Sequence, residues 1–107
     1  MALSDQKCRP CAGEEKPMNA ERAQEMMREV PSWLLSGNAI EKDFRFKDFI
    51  EAMAFVNRVA AIAIDEDHHP DIFISYSKVK LTLSTHKIGG LSLNDFIFAA
   101  KVDRLPV

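Results

Sequence analysis

Ile40-Glu41-Lys42-Asp43-Phe44-Arg45-Phe46-Lys47-Asp48-Phe49-Ile50-Glu51-Ala52-Met53 changes its hydrophobic period part-way along. Up to Phe46 it alternates: Ile40, Phe44 and Phe46 share one side, Glu41, Asp43 and Arg45 the other, and Lys42 is the single break in the alternation. A period of two belongs to a strand with one wet face. From about Lys47 to Glu66 apolar residues recur at three- and four-residue steps, as Phe49, Met53, Val56, Ala60 and Ala63, broadened by Ile50 and Val59. That spacing predicts a long amphipathic helix with this stripe in the core.

Working outward, Trp33-Leu34-Leu35 reads as a short strand joined to the first by the turn residues Ser36-Gly37-Asn38. Before it, Asn19 offers an N-cap to a helix with Ala23, Met26, Met27 and Val30 at helical spacing, stopped by Pro31. After the long helix come two strands, Ile72 to Tyr76 and about Lys78 to Thr85. In the second, Val79, Leu81, Leu83 and Thr85 share one face, while Lys80, Thr82, Ser84 and His86 share the polar one. Gly89-Gly90 is a turn, and Ser92 with Asp95 resembles a capping box opening a last helix over about 93–103, with Leu93, Phe96, Ile97 and Ala100 on one face. The order helix, two strands, long helix, two strands, helix predicts an α+β fold: a four-stranded antiparallel sheet with three helices packed on one face. Residues 1–18, rich in Pro, Gly and charge, read as a flexible tail, and 19–107 as a single domain.

The 107 residues allow one core and no second domain. Fourteen Lys and Arg against sixteen Asp and Glu leave a formal charge of −2, with no basic block to track phosphates, so nucleic acid is not an expected partner. The longest unbroken apolar run, Val59 to Ile64, falls far short of a membrane span, and the first residues lack a signal peptide's apolar core; a cytoplasmic location is expected. Cys8-Arg9-Pro10-Cys11 could offer two thiolates to zinc or cycle as a dithiol. Zinc would need two further ligands, and the redox reading needs a helix N-terminus at the first Cys, where Pro10, Gly13 and Pro17 stand close by. The tail is therefore read as solvated, without essential chemistry.

All three histidines, His68, His69 and His86, fall within nineteen residues. Imidazole titrates near neutrality, so the cluster suggests proton traffic or metal binding. Pro70 holds His69 extended, and consecutive extended residues point to opposite sides. One of the pair should reach a pocket while the other orients the loop or closes its far wall. The loop before Ile72 and the end of the next strand lie at one edge of an antiparallel pair, which lets His86 join them. Three imidazoles could hold a catalytic zinc with one open position. Against this, no helical His-Glu-x-x-His occurs, and adjacent histidines are awkward ligands of one ion. The other readings are general acid–base catalysis on a bound organic molecule, or three surface histidines with no joint role.

His68-His69-Pro70, five residues, Tyr76, nine residues, His86, eight residues, Asp95 resembles the signature of the pterin-4a-carbinolamine dehydratases. The surrounding text agrees, in Phe44-Arg45-Phe46-Lys47-Asp48-Phe49, Ala54-Phe55-Val56-Asn57-Arg58-Val59-Ala60 and Thr85-His86-Lys87-Ile88-Gly89-Gly90-Leu91-Ser92. The resemblance spans about Ala20 to Asp103. It implies a dehydratase with no metal and no cofactor. Aromatic amino acid hydroxylases leave their pterin as a 4a-hydroxy adduct, and the family expels that hydroxyl as water to give quinonoid dihydropterin. By this resemblance His68 and His86 form the proton-transfer pair, and His69, Pro70 and Asp95 bind the substrate. Asp95 reads equally as an acid favoured in the first turn of the last helix. Many members carry an acidic or polar residue four positions before the first histidine, where this chain has Ile64; either Asp65 substitutes through a register shift or that carboxylate is absent.

The resemblance also implies a second class of function, because animal relatives serve as dimerisation cofactors of a homeodomain transcription factor. The corresponding surface here would be the long helix or the sheet edge near Ser75-Tyr76-Ser77. An open outer strand invites pairing with a second copy, so a homodimer or homotetramer is expected. A functional link to an aromatic amino acid hydroxylase is the other partner implied.

Overall fold

The computed structural model describes residues 3–9 and 16–106. Its helices are α1 (Ala20–Met26), α2 (Phe49–Glu66) and α3 (Leu93–Asp103), and its strands β1 (Leu34–Ser36), β2 (Ala39–Arg45), β3 (Asp71–Ser75) and β4 (Lys78–Leu83). The strands form one antiparallel sheet in the order β1-β2-β4-β3. This is the expected α+β fold. α2 leads the chain from β2 past the place of β4 to the far edge, and a hairpin then returns β4 to the middle. Buried residues of β2 (Ile40, Phe44) and β4 (Val79, Leu81, Leu83) share one core with those of all three helices. Among the described residues no helix is long and apolar enough to cross a membrane.

Local chemistry accounts for the boundaries. The Asn19 side chain accepts the Arg22 N–H at 2.8 Å and starts α1, which tightens into a 3-10 turn (Met27–Glu29) before Pro31. Gly37, at φ 59°, occupies the two-residue turn that pairs Ser36 with Ala39. Asp48 caps α2 by accepting the Glu51 N–H at 2.9 Å.

Lys42, the break in the alternation of β2, is in phase with the core residues Ile40 and Phe44. Its ammonium lies 4.9 Å from the centre of the Phe44 ring and reaches the Asp103 carboxylate at 3.0 Å, the same oxygen that accepts Trp33 Nε1–H. A lysine is tolerated there because its stem lies along apolar surface while its charge ends on a carboxylate.

Two features depart from the sequence reading. The buried face of α2 is Ala52, Phe55, Val56, Val59, Ala63 and Glu66, whereas Phe49 and Ile50 are 48% and 78% exposed. Apolar residues surround much of this helix, so its period fits two neighbouring stripes. Phe55 decides between them by packing against Phe44 and Phe46 at ring separations of 4.5 and 5.1 Å. On α3, Leu93 is likewise exposed, while Phe98 and Ala99, outside the expected stripe, are fully buried.

The second departure concerns residues 3–9 of the stretch read as tail. They form a 3-10 turn, Leu3–Asp5, and an extended run docked on α3 and the end of α2. Lys101 Nζ donates to the Ser4 carbonyl at 3.1 Å, and the Arg104 guanidinium donates to Ser4 Oγ and Asp5 Oδ1. Cys8 N–H donates to Glu66 Oε1 at 2.8 Å. The buried Glu66 carboxylate also lies within 4 Å of the Lys7 and Lys101 ammonium groups, which offsets the cost of burying a charge at a helix C-terminus. Leu3 packs against the core, but backbone and polar side chains do the rest of the docking, so no hydrophobic periodicity announces it. Cys11 lies outside the described residues. Burial above all, and then the Glu66 carboxylate, push the Cys8 thiol up to about 12. At that value the thiol is protonated at neutral pH.

Candidate functional site

The end of α2, the end of β4 and the first turn of α3 meet at the histidines. Asp67 takes the left-handed conformation (φ 51°) that ends α2, and the N–H groups of Asp67 and His68 both return to the Ala63 carbonyl. This turn sends the His68 ring inward, 6.1 Å from Phe98 between ring centres, where it is almost wholly enclosed. His68 Nε2 lies 2.7 Å from Asp95 Oδ1.

Asp95 is fully buried, and each of its oxygens is engaged. Oδ2 accepts from Thr85 Oγ1–H and from the Ser92 N–H, both at 2.9 Å. The second of these bonds is half of the capping box of α3; the Ser92 side chain accepts from the Asp95 backbone in return. Because the Thr85 hydroxyl proton goes to Asp95, the 2.7 Å contact between Thr85 and Ser92 must use the Ser92 proton. The chain of donors therefore runs Ser92, Thr85, Asp95, with the carboxylate as common acceptor. A carboxylate accepting at Oδ1 places the His68 proton on Nε2 and leaves Nδ1 as the nitrogen free to exchange a proton. The expected capping box is present. Asp95, read from the sequence either as a substrate-binding acid or as an acid of the first helical turn, stands behind His68 and is not among the residues lining the cavity.

A cavity of about 280 Å³ opens here. His68 and His69 line it from the loop after α2, and His86 lines it from the end of β4, so the three histidines share one concavity. His86 is not a strand residue as expected: β4 stops at Leu83, and His86 opens an exposed 3-10 turn, His86–Ile88. A bridge between Thr85 and Gly90, with Thr85 N–H donating at 2.8 Å, closes the base of this turn, and Gly89 at φ 72° completes it. Pro70 is not among the residues lining the cavity, and its ring disfavours a helical conformation at His69.

Sequence reasoning missed other wall residues, notably Asp67, Lys87, Asn94 and Arg9. Thr85 gave one usable signal, a hydroxyl on the core face of a strand, which needs a buried partner. At the position before the histidines, Ile64 is exposed, and Asp65 points to solvent with its nearest cation, Lys7, at 3.7 Å. Asp65 does not line the cavity; Asp67 is the carboxylate that does. Among the described residues no group of three or more His, Cys, Asp or Glu is placed to hold a metal ion.

The sequence profile of pterin 4 alpha carbinolamine dehydratase matches residues 16–105. A protein of Halorhodospira halophila, provisionally named a pterin-4-alpha-carbinolamine dehydratase, is 49% identical over 98% of both chains. One of Nitrosospira multiformis with the same provisional name is 48% identical over 96% of this chain and 91% of its own. Of solved structures, a "transcriptional coactivator/pterin dehydratase" from Brucella melitensis superposes with a TM-score of 0.76 at 33% identity, covering 82% of this chain and 96% of its own. A pterin dehydratase-like protein, described as a RuBisCO assembly factor in the alpha-carboxysome, gives 0.58 at 29% identity over 67% of this chain and 86% of its own. With a profile spanning nearly the whole described domain and relatives close to half identical, this chain belongs to the pterin 4 alpha carbinolamine dehydratase family.

Proposed function

We propose that the chain removes water from 4a-hydroxytetrahydropterin to give quinonoid dihydropterin, by general acid–base catalysis with His68 and His86. The observation that carries this reading is the His68–Asp95 pair at the wall of a cavity that the other two histidines also line. Hydroxide is a poor leaving group near neutral pH, so a protonated imidazole must deliver a proton as the C4a–O bond breaks. The N5 proton must leave as the C4a=N5 bond forms, and a neutral imidazole can take it. The buried Asp95 carboxylate holds the His68 ring in one orientation and one tautomer, as a carboxylate does for histidine in other acid–base sites. His86, on an exposed turn, supplies the second proton-transferring group, and His69 binds the pterin. Recycling the pterin of an aromatic amino acid hydroxylase is the role this activity would serve.

Binding is tested by imidazole nitrogen spectra of labelled protein titrated with a stable dihydropterin. All three histidine spin systems should shift together and saturate at one equivalent per chain. Shifts in none of them would remove the cavity as a pterin site.

The edge strand favours self-association as the companion property. β3 lies at the rim of the sheet with every residue exposed, including Phe73 at 66%, and Tyr76 beyond it is 69% exposed. A bare apolar edge is a template for pairing, and a second copy of this chain is the partner proposed, as a homodimer or, with the exposed Phe49, Ile50 and Ile64 of α2, a homotetramer. Light scattering should give a multiple of the monomer mass, and Phe73→Glu should lower it. A wild-type monomer would leave these faces for a foreign protein, the kind of role named for the assembly-factor relative.

A further inference from the structure

The docked N-terminal segment ends on the wall of the cavity. Arg9 N–H donates to Asn94 Oδ1 at 2.8 Å, and Asn94 Nδ2 donates back to the Arg9 carbonyl, so one side-chain amide clasps both backbone polar groups of Arg9. The Cys8 thiol, protonated as argued above, donates to the Asn94 carbonyl at 3.5 Å, and Cys8 N–H is held by Glu66. Asn94 and Asp95 are neighbours in the first turn of α3. That single turn therefore fixes Arg9 through one side chain and His68 through the next.

Such an anchor is costly to build for a solvated tail, since it uses a buried amide and a buried carboxylate, Asn94 and Glu66. What it secures is the position of Arg9 at the cavity. Arg9 is exposed, and no group among the described residues engages its guanidinium. Among the described residues Asp67 is the one carboxylate lining the cavity, while Arg9 and Lys87 are two cations there. A guanidinium is planar, always charged, and presents paired N–H donors, so it suits a flat heterocycle, either across its face or at a ring carbonyl and its neighbouring nitrogen.

Resting on the dehydratase reading above, we propose that Arg9 is a substrate-binding residue, carried to the site by the N-terminal segment and positioned there by Asn94. The substrate class this addition favours is a flat, carbonyl-bearing heterocycle whose far edge meets the guanidinium while its reacting carbon faces the histidines. Arg9 takes no part in proton transfer.

The test compares Arg9→Ala, Arg9→Lys and Asn94→Ala with the wild type in full-length protein, measuring dehydration kinetics, affinity for a stable dihydropterin, and melting temperature. Arg9→Ala should raise KM and the dihydropterin Kd about ten- to a hundredfold, the range of a charged hydrogen bond, with kcat changed by less than about threefold, the signature of lost uniform binding. Its melting temperature should be unchanged because the side chain is exposed. Arg9→Lys should recover part of the affinity. Asn94→Ala should raise KM in the wild-type background and add little in the Arg9→Ala background, since both act through one contact. Unchanged KM and Kd in Arg9→Ala, with an active wild type, would overturn the inference and leave the dehydratase reading standing. So would a loss confined to kcat. A wild type that neither dehydrates the substrate nor binds dihydropterin would overturn the reading and the inference together.

Discussion

Replacing His68 or His86 by Ala should lower kcat by about 10²–10⁴-fold, the contribution of one general acid or base. The two variants should differ in stability. His86 is exposed on its 3-10 turn, so His86→Ala should leave the melting temperature and circular dichroism unchanged. His68→Ala strips Asp95 Oδ1 of its partner inside the protein and should cost about 1–3 kcal/mol as well. His69→Ala should mainly raise KM. Steady-state rates must be corrected for spontaneous dehydration, which would otherwise mask a modest loss. Near-normal kcat in both His68→Ala and His86→Ala, with folded protein, would exclude them as the proton-transfer pair.

Substitutions of Asp95 should separate structure from catalysis at one position. Asp95→Ala deletes the acceptor for the Ser92 N–H, the Thr85 hydroxyl and His68, and should destabilise the protein by roughly 3–5 kcal/mol, as removal of one member of a buried polar network does. Asp95→Asn keeps the shape. Its carbonyl can still accept from Thr85 and Ser92, which turns the amide NH2 toward His68. His68 Nε2 must then accept a hydrogen bond, and the ring proton moves to Nδ1. The folded enzyme would hold the wrong tautomer, and kcat should fall about 10²-fold or more. If Asp95→Asn is stable and fully active, the carboxylate has only its capping role in α3. Circular dichroism and melting curves measured beside kcat distinguish these outcomes.

Period and punctuation made most of the fold legible. The switch after Phe46, the Gly37 turn and the Ser92–Asp95 box each act over a few residues, and the structure has an element boundary at each. The rotation of α2 was not legible, because Phe49 and Ile50 fit a helical stripe as well as Phe55 does, and only the aromatic packing across from β2 chooses between them. The three histidines could be placed together from strand geometry. The depth of Asp95 could not: an acid in the first turn of a helix looks the same in sequence whether it faces solvent, substrate or a buried imidazole. The anchoring of residues 3–9 escaped for a similar reason. It rests on backbone groups meeting Asn94 and Glu66, and backbone donors leave no trace in composition.

On the proposed mechanism, side chains of this chain carry the dehydration. The most direct measurement follows the loss of a synthetic 4a-hydroxytetrahydropterin in the presence of purified, metal-stripped protein. Dehydration should accelerate in proportion to protein concentration and be unaffected by chelators. No acceleration beyond the spontaneous rate, or activity that returns only with stoichiometric metal, would contradict it.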